Sequence, residues 1–373
     1  MAKVSEKTFE EFKEKPIADL ITLNSRILNT LLLEIFEQRS KGVTPKEVLE
    51  QYKDRYEFFG PSQRDLRTIN KYNSIFLDCL PEKYDAIELS PINPFGGNSS
   101  FTNLSQKNIC SGIKGTEVCS DATTSLTLEA CKRRKEMIKN PSRIMEDVNL
   151  ATIKKVLRMQ QFDKSKGYLQ HFGQFAAITA GRKQQDFEYD KIKEHIELWV
   201  RLFQELKKND FTLGEINVGI CHIDIIEHFI KQGFVDRKVV NQNSFNDFKL
   251  FPETGIQLPD KIVDYQEFTD NQKRVYSLNY VKDHIERISK MIQELKREFP
   301  EVNFYVEMDR KGGLGYYVGS CFHIYSKEHD YYVPLCDGGV PDWNKQLLQD
   351  KKETSVVSGI GSELVLNLYK KRT

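Results

Sequence analysis

The chain has 373 residues, 39% of them hydrophobic and 11% aromatic, enough for a sizeable core in one large domain with an insertion, or in two domains. Its net charge of +1 gives no global pull toward nucleic acid or an anionic membrane. No stretch of about 18 apolar, uncharged residues is present, which argues against a transmembrane helix, and the opening MAKVSEKTFEEFKEK lacks the apolar run of a signal peptide.

Residues 17–40 carry apolar side chains at helical spacing, with Gly42 as the stop. Two more helices are expected near 45–56 and 62–79. A short strand at 84–89 runs into SPINPFGG, where Pro and Gly break the ladder. Residues 98–114 are polar and are expected to be mobile. A short strand to Cys119 then meets a helix to about Ile138, with Asp121 or a neighbouring Thr as N-cap. Strands are expected at 154–162 and 171–180 around DKSKG, a loop of hairpin length. A long helix follows at 187–208, then a strand at 216–222 and a helix from Ile223.

Residues 223–300 read as a mainly helical insertion. Pro252 and Pro259 lie between a short helix and a longer helical stretch at 270–297. The strand 303–309 resumes the core, so the core is 1–222 with 301–373. GYYVGSCFHIY and DYYVPLC alternate with period 2 and predict two adjacent strands around a turn at 327–329. SVVSGIG is a third apolar run and feeds the amphipathic helix SELVLNLYKK. Hairpin groups with helices between them predict an α+β fold, an antiparallel sheet with helices packed on one face. The basic runs Lys132 to Lys135 and Lys370 to Arg372 read as solvated helix faces.

Seven scattered cysteines with no CxxC pair read as reduced thiols, so the expected compartment is the cytoplasm. Cys221, His222 and His228, or Cys321 and His323, fit no standard metal-ligand spacing. No metal is expected.

Four segments, in order, resemble the catalytic core of the histidyl-tRNA synthetase family, class II aminoacyl-tRNA synthetases. The family segment LRPE(or D)GT corresponds to VCSDAT, which puts Asp121 at the acidic position and Thr123 at the threonine. By that resemblance Asp121 holds the α-ammonium of an amino acid; the residue-level alternative is a helix cap. The family hairpin FRxERPQKGRxRQFHQ corresponds to MQQFDKSKGYLQHFGQ. Gln174 matches the terminal glutamine, a substrate-ammonium contact, while the catalytic arginine position holds Gln160. Arg158 falls on the same strand face by period 2, so a local slip would restore an arginine. The specificity loop RGLDYYTG corresponds to GGLGYYVG, which keeps Tyr316, Tyr317 and Gly319 but has Gly312 for the leading arginine. The third class motif, GxGxER, corresponds to GIGSEL, with Leu364 in place of arginine.

The resemblance therefore implies an adenylate-forming fold with the amino-acid positions partly kept and all three arginine positions changed. It also implies no anticodon-binding domain and a homodimer through helix 17–40, with Ile21, Leu28, Leu31, Leu32 and Ile35 as its stripe. The nearest functional match is the synthetase-like regulatory subunit of ATP phosphoribosyltransferase, the first enzyme of histidine biosynthesis. The expected function is non-catalytic: binding of histidine or a related amino acid, and regulation of a short-form catalytic subunit. No cofactor is expected on this reading. The alternatives are a divergent ligase using ATP and Mg²⁺, with Arg158, Arg182 or Arg310 replacing the missing arginines, and a synthetase-derived binding scaffold. Near-neutral charge argues against RNA as the partner.

Overall fold

The structure, a computed structural model, describes residues 20–370 apart from 63, 103, 113, 163–169, 234, 243–267, 270–274, 277, 309, 311 and 329–330. In chain order the helices are α1 (Ser25–Lys41), α2 (Pro45–Asp54), α3 (Tyr56–Phe59), α4 (Leu66–Asp78), α5 (Ala122–Met137), α6 (Phe187–Lys208), α7 (Ile223–Lys231), α8 (Arg237–Gln242), α9 (Lys282–Glu298), α10 (Trp343–Leu348) and α11 (Ser362–Tyr369). The strands are β1 (Asp85–Ala86), β2 (Ile92–Pro94), β3 (Thr116–Val118), β4 (Val148–Leu157), β5 (His171–Arg182), β6 (Ile216–His222), β7 (Phe268–Thr269), β8 (Val275–Tyr276), β9 (Asn303–Val306), β10 (Tyr317–Glu328), β11 (Tyr331–Pro341) and β12 (Glu353–Gly361).

An eight-stranded sheet in the order β1-β4-β5-β12-β11-β10-β6-β9 organises the fold. Every pairing from β4 to β6 is antiparallel. The two edge strands, β1 and β9, join in parallel. The architecture is thus α+β with a mainly antiparallel sheet, as the hairpin grouping predicts.

Helices cover both faces, not one. Ser358 on β12 bonds His195 and Trp199 of α6. Phe76 of α4 stacks on Phe175 of β5 and on Trp199, with centroids 4.3 and 5.6 Å apart. The next residues along the strands point the other way. There Glu353 meets Arg134 of α5 and Ser355 meets Asn344 of α10. One long apolar helix could not have covered both faces of so wide a sheet, so the two helix layers divide it.

Arg134 also corrects the reading of the basic run Lys132 to Lys135. Its side chain and that of Glu353 are both 0% exposed. The guanidinium is bidentate to the carboxylate at 2.8 Å and donates to the Glu146 and Ile144 carbonyls.

Several boundaries move. The strand expected at 154–162 is β4, which begins earlier and ends at Leu157. DKSKG lies outside the described residues. Residues 327 and 328, expected in a turn, belong to β10, which runs through Glu328. The segment 98–114 begins at a fixed point. Asn98 is fully buried; its amide accepts from Asn93 and from the Ser120 N–H and donates to the Val118 carbonyl. At Asn98 polarity was misleading, because its side chain satisfies the backbone instead of facing water.

Two helices of the span 223–300 pack into the body of the protein. α7 buries Ile225, Ile226 and Phe229, and α9 buries Ile285, Ile288 and Leu295. Both helices belong to the main hydrophobic core.

At the N-terminal end, Thr44 and Glu47 form a reciprocal capping box at the start of α2. α1 nevertheless buries none of its residues. Ile21, just before it, is 76% exposed, and Leu31 and Ile35 are exposed as well. Among the described helices none is long and apolar enough to cross a membrane.

Candidate amino-acid cleft

The candidate site lies where the start of α5 meets the start of β5. Asp121 is the N-cap of α5: its Oδ1 accepts the Thr123 N–H at 2.9 Å and the Thr123 hydroxyl at 2.7 Å. Gln174 lies on the adjacent strand, and its Oε1 accepts the Ala122 N–H at 2.8 Å. Tyr316 approaches from the GGLGYYVG loop, with its hydroxyl 3.5 Å from the Thr123 Oγ1. Four of the five expected residues, Asp121, Thr123, Gln174 and Tyr316, are therefore brought together. They come from three separate parts of the chain.

Tyr317 stands behind this group. Its buried ring packs edge-on to Tyr316 at 4.8 Å, with the Arg310 guanidinium 5.7 Å from its centroid. It is a wall, not a contact to Asp121. Trp343 closes the other side of Tyr316 at 4.9 Å, and Phe101 packs against Trp343.

The three positions where arginine is missing meet different fates. Gln160 accepts from Asn108 at 3.3 Å. Arg158, two residues earlier, reaches the cleft instead: Nη2 is 3.1 Å from Asp121 Oδ2 and Nε donates to the Ser120 carbonyl. β4 ends at Leu157, and the Arg158 N–H still bonds the Gln170 carbonyl, so the strand-like pairing carries as far as Arg158. At Gly312, the carbonyl accepts Nε of Arg310 at 2.9 Å. Leu364 is half-buried in the first turn of α11, beside the buried Glu363 that pairs with Lys155. Arg182 lies elsewhere, paired with Asp350 and Glu353.

Strand register defines the floor. Gln174 pairs with Gly361, and Ala176 with Gly359. Gly359 pairs with Asp337, and Asp337 with His323. Directly paired residues share a face, so small residues separate Gln174 from Asp337. Asp337 Oδ1 accepts from Arg310 at 2.8 Å and lies 3.2 Å from His323 Nε2. Tyr325 joins this network, donating to Glu307 at 3.0 Å and contacting His323 Nδ1 at 2.8 Å.

These charges stabilise one another. Burial opposes ionisation of Asp337, but His323 and Arg310 hold its carboxyl down at about 2. Burial and Arg310 work against protonation of His323, yet Asp337 and Glu307 raise it to about 9. The network is thus a fixed set of ion pairs at neutral pH. Sequence reading missed Asp337 and His323 as neighbours of the cleft; their alternation with apolar residues on β10 and β11 was the available signal.

The fold has solved counterparts. A structure described as an ATP phosphoribosyltransferase regulatory subunit/histidyl-tRNA synthetase from Bacillus halodurans superposes with a TM-score of 0.56 at 15% identity, over 84% of this chain and 83% of that chain. Histidyl-tRNA synthetase from Nostoc sp. PCC 7120 gives a TM-score of 0.56 at 14% identity, over 83% of this chain and 73% of that chain. No family model and no curated protein matches the sequence. The likeness shows a class II synthetase-like fold.

Proposed function

We propose that the chain is a non-catalytic, synthetase-like protein that binds histidine or a related α-amino acid and regulates a partner enzyme, with a short-form ATP phosphoribosyltransferase subunit as the partner. The observation that carries the ligand class is the Asp121–Arg158 pair. It presents one carboxylate and one guanidinium side by side, the complement of an α-amino-acid zwitterion. Three acceptor sites of the Asp121 carboxylate are used, by Thr123 twice and by Arg158. A carboxylate offers about four, so one remains for an ammonium. The ligand carboxylate would face Arg158. The partner assignment draws its support from the regulatory subunit named among the solved counterparts.

Calorimetry tests the ligand, with histidine tried first and no ATP present. Asp121→Asn keeps a good N-cap residue but removes the charge. Hydrogen bonds to charged groups contribute roughly 1.5–3 kcal/mol, so the variant is expected to bind about 10- to 150-fold more weakly with little change in thermal stability. Unchanged affinity would reduce Asp121 to a helix cap. If no amino acid binds the wild type at millimolar concentration, the ligand reading fails.

The same proposal includes a homodimer through α1. Among the described residues none buries its apolar side chains, and obligate interfaces bury more than about 2,000 Å² in total. Sedimentation at micromolar concentration is expected to show no monomer; a clean monomeric species would remove the dimer.

A further inference from the structure

We propose that His222, Asp224 and His284 form a binding site for one divalent transition-metal ion of the zinc class, on the side of the sheet away from the Asp121 cleft. His222 is the last residue of β6, Asp224 lies in the first turn of α7, and His284 lies in the first turn of α9. Asp224 Oδ2 is 3.7 Å from His222 Nδ1 and 3.4 Å from His284 Nε2. The donor atoms of the three residues all lie within 4.8 Å of one another. A tetrahedral zinc ion with bonds near 2.0–2.1 Å spaces its ligand atoms about 3.3 Å apart. Small side-chain movements would therefore complete the coordination.

The surroundings independently favour a metal. The ring nitrogens that would face away from the ion each have a partner. His222 Nε2 lies 3.3 Å from Glu188 Oε1, and His284 Nδ1 lies 2.8 Å from the Tyr189 hydroxyl. Such outer contacts set tautomer and ring orientation at metal sites. Glu188 Oε1 also accepts the Ser320 N–H at 2.6 Å, which fixes the carboxylate beside His222.

The rings stack at 3.6 Å, and the Asp224 N–H bonds His222 Nδ1 at 3.2 Å. Loading would exchange that single cap bond for a metal bond and turn the rings apart. Two imidazoles and one carboxylate suit Zn²⁺, Co²⁺ or Ni²⁺, not Mg²⁺ or Ca²⁺. Asp224 is half-exposed, which leaves room for water in a fourth position. The ligands flank residues 225–283, so the ion would tie the start of α9 to the end of β6. Through Glu188 and Ser320 it would also brace β10, which leads out of the Tyr316 loop.

The test uses the full chain, stripped with chelator and titrated with Co²⁺. One Co²⁺ per chain is expected, with visible ligand-field bands that Zn²⁺ displaces, and Zn²⁺ should raise the melting temperature. Asp224→Asn, a substitution at an exposed position, should weaken binding by about 100-fold or more, and His284→Ala should abolish the bands. His228→Ala, outside the cluster, should keep the stoichiometry. No Co²⁺ uptake at micromolar concentration would overturn the site. So would equal uptake by the wild type, Asp224→Asn and His284→Ala, which would place the ion elsewhere, for instance on thiols.

Discussion

Incubated with ATP, Mg²⁺ and each of the twenty amino acids in turn, the protein is expected to give no pyrophosphate exchange above background. Adenylation develops charge on the α-phosphate and releases a polyanion, so it depends on cations aimed at those oxygens. Here Gln160, Gly312 and Leu364 stand at the three positions where the resembled family keeps arginine. Arg158 and Arg310 beside the cleft are each held by a carboxylate, Asp121 and Asp337, and Lys154, paired with Gln174 in register, is buried with its Nζ donating to the Ser90 carbonyl. Loss of one preorganised donor costs on the order of 2.7–4 kcal/mol. Three losses are not additive, but even two in effect would lower the rate by about 10⁴-fold or more. Arg158 is the residue on which the competing ligase reading depends. Robust exchange with any one amino acid, abolished by Arg158→Ala, would show that this guanidinium leaves Asp121 for phosphate, and would make the protein an enzyme.

The second large effect concerns stability. Arg134→Ala is expected to destabilise the fold by about 3–5 kcal/mol, because it strands a buried carboxylate. Glu353 would retain only Arg182, at 3.4 Å from Oε1. The Ile144 and Glu146 carbonyls would lose their donors as well. Denaturant unfolding would read this as a lower midpoint with an unchanged slope. The double variant Arg134→Met with Glu353→Leu should recover most of the loss, since an apolar pair of similar volume leaves no charge uncompensated. A loss below about 1 kcal/mol for Arg134→Ala would mean that water reaches the pair. The consequence extends to the cleft, because Arg134 anchors the helix whose first turn carries Asp121 and Thr123.

Much of the local structure was legible from residue spacing alone. The helix 187–208 and the strand 216–222 match α6 and β6 residue for residue. Their signals are strong: a long apolar stripe at helical period in one, the alternating Ile216, Val218 and Ile220 in the other. The order of the four motif segments likewise led to the sheet and to Asp121, Thr123, Gln174 and Tyr316 as neighbours. Period 2 put Arg158 and Gln160 on one face but could not say which would reach Asp121. That depended on where β4 stops, and β4 stops at Leu157.

What the sequence by itself determined is therefore the set of elements, their order and the segments that build the cleft, because each is written in spacings of two to four residues. Tertiary structure alone decided the contacts between distant segments. Arg134 sits in a run of basic residues that reads as solvated, and only the approach of β12 makes it a buried partner of Glu353. His284 is 62 positions after His222 with no motif between them, and only the docking of α9 beside β6 sets their rings 3.6 Å apart. Asp337 and His323 become a pair through the β10–β11 register, and a one-residue slip of either strand would have put them on opposite faces. Charge and imidazole chemistry acts through distance in space, and local periodicity does not encode that distance.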